Sequence, residues 1–327
     1  MDGAGSSVGV IGLGIMGSAI AASLRGAGFR VAGIDVDADA RARLRERLDS
    51  VGDSVAALPA QARLLVSSLP SSAALMRVCE ELARGAGGRW AGQTGGAPQA
   101  GSAAQAGGAA QAGAAQAGAP RRVLAETSTL PIADKARARD LLASAGIAMV
   151  DAPLSGTGAQ ARTRDLAVYA SGEPADIEAL AAVFDGFARV RYDVGPFGNG
   201  MRMKLVANLL VAIHNVSSAE ALVFAGRLGL DPAKVVEVVG DGAGSSRMLQ
   251  VRGPMMASRG GGEATMKVEV WGKDMAIIGE ALAELAVPAP LFAACVPVYH
   301  AALAQGHAMH DTASVYAVLE RMAGEGR

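Results

Sequence analysis

Along the first part of the chain, large apolar residues gather in short runs at 8–11, 29–34, 64–69, 123–125 and 147–152, with strand-like segments at 167–172 and 189–194. Short apolar runs with little polar alternation suit strands covered on both faces, as in a parallel sheet. Helical spacing fills the gaps. Residues 18–28 carry Ile20, Leu24 and Ala27 on one face and stop at Gly28, a good helix terminator. Segments 38–48, 71–83, 131–143 and 177–187 read as further helices. Strand alternating with helix predicts an α/β domain with a doubly wound parallel sheet.

The texture changes near residue 200. Residues 201–228 contain no proline and one glycine, Gly226, which predicts a single helix of about 42 Å at 1.5 Å per residue. Helical patterns then follow at 232–239, 246–256, 273–285, 291–305 and 312–322. The expected organisation is a Rossmann-type domain over residues 1–197 and an all-helical domain over 198–327, joined by the long helix. Residues 85–120 differ from both: Gln-Ala-Gly units recur there without large apolar side chains after Trp90. Such a segment buries too little surface to offset its ordering entropy, so it reads as a flexible insertion in a tolerant loop.

One stretch carries specific chemistry. The first apolar run leads into Gly12-Leu13-Gly14-Ile15-Met16-Gly17, then a helix, then a second apolar run ending at Asp35. In this setting Gly12 permits the tight strand-to-helix turn, Gly14 lets a pyrophosphate approach the backbone, and Gly17 lets helix and strand pack closely. The free N–H groups at the helix start face the phosphates. Asp35 stands where a carboxylate accepts from ribose hydroxyls. A carboxylate there repels a 2′-phosphate, and no Arg or Lys follows until Arg41, so NAD is expected over NADP. The loop at Leu69-Pro70 falls at the carboxyl ends of the strands, where open α/β sheets bind ligands.

Bulk properties narrow the class. Over 327 residues the net charge is −1, which gives no electrostatic case for nucleic acid. The longest apolar stretch, 205–213, is interrupted by Asn208 and short of a membrane span. No basic segment opens residues 1–7, so no signal peptide is read. Cys79 and Cys295 have no partner at metal-ligand spacing and fit a reducing, cytoplasmic compartment.

Lys204 and Asn208 lie four residues apart, on one face of the long helix. A lysine sunk among apolar neighbours loses charge stabilisation, its pKa falls towards neutrality, and it can shuttle a proton. On spacing alone the plainer alternative is a surface lysine lying along apolar neighbours.

These motifs, together with Thr127-Ser128-Thr129, residues 151–156, residues 200–204 and Lys273-Asp274, resemble in order and kind the β-hydroxyacid dehydrogenase family. Its members include 3-hydroxyisobutyrate, tartronate semialdehyde and L-threonate dehydrogenases. The resemblance spans nearly the whole chain apart from the insertion. It implies an oxidoreductase that passes hydride between NAD(P) and a small hydroxyacid. By the same resemblance Lys204 is the general acid/base, and Asn208 holds substrate and orients the lysine. Ser155 and Gly156, with Thr157 beside them, bind the substrate carboxylate. Ser128 and Thr129 lie by the nicotinamide, and Lys273 with Asp274 closes the site from the helical domain.

The chain departs from the family pattern in three places. Ala207 stands where Asn or His is frequent, Thr157 stands where a second glycine is usual, and Arg247 stands where an aromatic is common. Arg247 is either a partner for a second substrate carboxylate or an ordinary surface residue. His214 reads as a core or interface histidine. His300, His307 and His310 lack partners at metal-ligand spacing, and no metal is expected. The alternatives are an imine reductase, which typically lacks the lysine, a decarboxylating dehydrogenase of the same build, or a non-catalytic dinucleotide-binding module. The long apolar helix calls for a second subunit, so a homodimer or homotetramer is expected.

Overall fold

The computed structural model describes residues 5–86, 121–259 and 264–324. Most of the expected insertion at 85–120 lies outside the described residues. Only Gly85 and Ala86 are described, as the end of a helix.

Six parallel strands form the main sheet. They are β1 (Ser7–Ile11), β2 (Arg30–Ile34), β3 (Ser50–Gly52), β4 (Leu64–Ser67), β5 (Val123–Glu126) and β6 (Ala148–Asp151), in the order β3-β2-β1-β4-β5-β6. That order reverses between β1 and β4, which opens a crevice at the strands' carboxyl ends. The apolar runs become strands because both faces are covered. One face packs on α1 (Ile15–Gly26), the other on α3 (Ser72–Ala86) and α4 (Ile132–Ser144). Strand β3 was missed: the helix expected over 38–48 stops early, as α2 (Ala38–Leu44), and the chain turns back into the sheet.

A smaller sheet of β7 (Leu154–Ser155), β8 (Ala167–Ala170) and β9 (Val190–Asp193) leads out of the large one. Between β7 and β8 lies the short helix α5 (Gly158–Arg162). The helix expected at 177–187 is two, α6 (Pro174–Ala179) and α7 (Ala181–Phe187), broken at Leu180.

The long helix is α8 (Asn199–Arg227), and α9 (Pro232–Gly240), α10 (Arg247–Ala257), α11 (Val268–Glu284), α12 (Pro290–Ala304) and α13 (Val315–Met322) pack around it. Length and composition alone would let α8 cross a membrane. Its polar residues instead bond inside the fold, with Asn215 donating to the Tyr299 hydroxyl and the Thr312 carbonyl.

A buried ionic knot ties α8 to the sheet. Lys135 on α4 is fully buried and pairs at 2.7 Å with both Glu126 of β5 and Asp151 of β6. Burial opposes its charge, but the two carboxylates outweigh that and hold its pKa above the ordinary value. The second Asp151 oxygen accepts from the Met201 N–H, and the Ser171 hydroxyl accepts from the Gly200 N–H. The helix can come this close only because residue 200 is glycine. A Cβ there would stand 2.3 Å from the Tyr169 carbonyl oxygen and 2.8 Å from that of Asp151.

Candidate active site

Two cavities are each lined from both the sheet-bearing half and the later helices. The first, about 680 Å³, is lined by Gly12, Gly14, Ile15, Met16, Asp35, Leu69, Pro70 and Lys273, among others. The glycine turn is built as its sequence demands. Gly12 has φ +90°, and a Cβ there would meet the Ser68 carbonyl oxygen at 2.1 Å. A Cβ on Gly17 would collide with the Gly12 carbonyl oxygen, whereas one on Gly14 would meet nothing within 4 Å. Gly14 thus presents bare backbone to the cavity. It is also the N-cap of α1 and offers no side-chain acceptor, which leaves that helix's first N–H groups without a side-chain partner. Leu13 contributes through its backbone: its side chain is buried, and its N–H donates to Asp35 Oδ2 at 2.6 Å. Asp35 Oδ1 accepts from the Asp37 N–H. This cradle of open glycine, free helix N–H groups and oriented carboxylate fits a dinucleotide.

The second cavity, about 540 Å³, lies within the range of roughly 300–1,000 Å³ usual for small ligands. Ser155, Gly156, Thr157, Lys204 and Asn208 line it together. Lys204 Nζ donates to the Leu154 carbonyl at 2.6 Å, beside Ser155. The residue as a whole is half-buried near the start of α8, with its ammonium turned inward. Burial lowers its pKa from the ordinary lysine value, and Lys273 and Lys135 push the same way against the nearby Asp274. Asn208 Nδ2 donates to Asp274 Oδ2 at 2.9 Å. Burial in turn raises the Asp274 pKa, opposed by Lys273 and Lys204.

Several expected residues stand differently from their simplest reading. Lys273 lines the first cavity and not the second. Its amine donates to the Thr129 carbonyl at 2.6 Å, clamping α11 onto the loop after β5. The Ser128 hydroxyl accepts from the Leu69 N–H, which ties two cleft loops together. Thr157 borders the cavity, but its hydroxyl caps α5 in a reciprocal arrangement with Gln160. His214 is half-buried on α8, its carbonyl accepting from Ser218. His307 and His310 face each other, Nδ1 to Nδ1, at 2.9 Å. Burial pushes the thiol of Cys79 up to about 12 and that of Cys295 to about 11, so neither is a ready nucleophile.

Sequence reasoning missed part of the second cavity. Gln160, Asp165, Arg189, Arg252 and Trp271 also line it. Arg247 lines it too, and is not merely a surface residue.

A dinucleotide cradle at a sheet's switch point, together with a lysine-bearing pocket lined from the helical half, defines an NAD(P)-dependent dehydrogenase. Comparison with known proteins agrees. Residues 7–89 and 99–195 match the family model for the NAD binding domain of 6-phosphogluconate dehydrogenase. Residues 198–319 match that for the NAD-binding of NADP-dependent 3-hydroxyisobutyrate dehydrogenase. L-threonate dehydrogenase of Cupriavidus necator is 28% identical over 311 residues, 94% of each chain. The 2-(hydroxymethyl)glutarate dehydrogenase of Eubacterium barkeri is 28% identical over 202 residues, covering 62% of this chain and 67% of that one. Among solved structures, the fold is shared with a 3-hydroxyisobutyrate dehydrogenase from Salmonella typhimurium, with a TM-score of 0.76 at 23% identity over 95% of this chain and 99% of that one. The chain belongs to the β-hydroxyacid dehydrogenase family.

Proposed function

We propose that this enzyme reversibly oxidises a small hydroxyacid of the 3-hydroxyisobutyrate, tartronate semialdehyde or threonate type, with Lys204 as general acid/base and NAD as the preferred cofactor. The observation that carries this reading is Lys204, held beside Ser155 in the substrate cavity with its pKa lowered by burial. NAD, when bound, supplies the acceptor for the hydride that leaves the carbinol carbon. The chain's own residues do the rest. Gly12 to Gly17, Asp35, Leu69, Pro70, Ser128, Thr129 and Lys273 hold the dinucleotide. Ser155 and the Gly156 backbone receive the substrate carboxylate, with Thr157 keeping their loop in shape. Neutral Lys204 takes the hydroxyl proton as the carbonyl forms and returns it in the reverse direction, while Asn208, fixed by Asp274, orients the substrate. Residues 1–197 form the dinucleotide domain and 198–327 the helical one.

The presence of Lys204 favours this reading over an imine reductase or a non-catalytic module, and release of CO2 with NADH would mark a decarboxylating enzyme instead. The near-zero net charge and the buried thiols Cys79 and Cys295 favour a cytoplasmic enzyme with neither nucleic acid nor membrane as partner. The exposed apolar face of α8 favours a homodimer or homotetramer.

The test is Lys204→Ala, with turnover and NAD affinity both measured. Turnover falls at least ~100-fold, the usual scale of a lost acid/base group, while NAD binds as before. In the parent enzyme, oxidation needs the neutral amine, so its rate rises with pH, with the limb below the ordinary lysine range near 10.5. Near-normal turnover in the variant removes Lys204 from the mechanism.

A further inference from the structure

The substrate cavity holds more positive charge than a monocarboxylate requires. Arg189, Arg247 and Arg252 line it alongside Lys204. Arg252 is buried and answered within the helical half: its Nε lies 3.2 Å from Asp311, which also accepts from Thr265 and Met266. Arg189 and Arg247 are balanced differently. Arg189 Nε reaches Asp165 Oδ1 at 2.9 Å, and Arg247 reaches Oδ2 of the same carboxylate at 3.1 Å. Two guanidinium groups thus share one carboxylate, which also accepts from Gln160, and one positive charge is left over at the cavity wall.

Local stability does not account for Arg247. It is the first residue of α10, after the N-cap Ser246, and a cation is unfavourable at the positive end of a helix dipole. Its side chain is 62% exposed, and an ion pair in that setting contributes little. A guanidinium presents five donors in a planar fork matched to a carboxylate, whereas Arg247 makes a single ion-pair contact with Asp165. That contact spans the two halves, since Asp165 and Arg189 lie just before β8 and β9 of the small sheet and Arg247 opens α10.

We propose that Arg247, which shares Asp165 with Arg189, binds a second carboxylate of the substrate, so that among small hydroxyacids the enzyme prefers a hydroxy-dicarboxylate to the monocarboxylates named above. One carboxylate lies on Ser155 and Gly156, and the other takes the fork of Arg247 in competition with Asp165. The inference rests on the hydroxyacid reading above and names its substrate class.

A matched set of probes tests it. 2-(Hydroxymethyl)glutarate and 3-hydroxyisobutyrate share the same hydroxymethyl carboxylate core, and the first differs by a distal carboxylate arm. Its distal amide removes that charge at nearly constant size. With NAD, kcat/KM for the diacid exceeds that for the distal amide by roughly 10- to 100-fold, the scale of one charge-assisted hydrogen-bonded pair. Arg247→Ala collapses that ratio towards one, chiefly through KM, and Arg247→Lys restores part of it. A parent enzyme that treats diacid and amide alike overturns the proposal, as does an Arg247→Ala variant that loses equally on both. If 3-hydroxyisobutyrate turns over but the diacid has no advantage, only this inference fails. If no hydroxyacid turns over, the hydroxyacid reading fails by itself, and calorimetric binding to the NAD-loaded enzyme decides this one. Tighter diacid binding that depends on Arg247 supports it, and equal binding of diacid and amide overturns it.

Discussion

Asp35 uses each carboxylate oxygen on a backbone N–H, Leu13 on one side and Asp37 on the other. This fixes the carboxylate at the rim of the glycine turn while leaving lone pairs for two ribose hydroxyls. Arg41, the first cation after it in sequence, folds back so that its guanidinium donates to the Asp35 and Val36 carbonyls. A guanidinium therefore does stand close to Asp35, and the preference proposed above for NAD rests on the Asp35 carboxylate. Asp35→Ala is expected to weaken NAD by roughly 10- to 100-fold, the scale of a charged hydrogen-bonding partner, and NADP much less. Steady-state kinetics with both cofactors measure this, and an unchanged NAD/NADP ratio would contradict the assignment. The residues of the glycine turn were legible in the sequence because their jobs are local and set by fixed offsets. The arginine wall was legible only at Arg247, and its tie to Asp165 and Arg189 was not. Arg247 and Asp165 meet across 82 positions, and no spacing rule links them. Thr157 was half legible: its position in the cavity was foreseen, but its cap on α5 was not, because α5 itself went unseen.

At the scale of elements, the apolar runs revealed the strands, and the pause in proline and glycine revealed α8. Short elements escaped. Strands β3 and β7 have too few residues to show a pattern, and α11 begins at Val268, ahead of the start expected at residue 273. The knot at Lys135 was hidden for another reason. On α4 it reads as one of several charges on a solvated helix, and only the sheet reveals that it lies between Glu126 and Asp151. Removing one partner of a buried ionic cluster costs about 3–5 kcal/mol. Lys135→Met is therefore expected to lower the melting temperature by on the order of 10 °C, as followed by circular dichroism. The variant also frees the Asp151 side chain that receives the start of α8. A melting temperature within about 2 °C of the parent would show that the cluster relaxes or neutralises instead.

For the whole molecule, the helical half leaves apolar surface uncovered. Met203, Val206, Leu210, Phe224 and Leu228 are exposed along α8 at spacings that follow one side of the helix, and Leu285 and Leu291 are exposed nearby in sequence on α11's end and α12. An exposed apolar face such as that of α8 suits an interface, and a second copy of the chain is its expected cover. Light scattering should return a dimer or larger species, and Phe224→Glu should shift it towards the monomer. A monomeric parent protein would refute this.

The anchoring of α8 also decides what moves with what. Its first turn is bolted to β6 and β8 through Asp151 and Ser171, and Lys204, one turn on, still reaches back to Leu154. The Lys204 amine is therefore tied to the sheet-bearing half although its helix packs with the other. The Lys273 clamp and the Arg247 contact also tie the later helices to the sheet-bearing half, each through one side chain. Under the proton-transfer role proposed for Lys204, the place of its amine beside Leu154 is inherited from the fold and not rebuilt at every turnover.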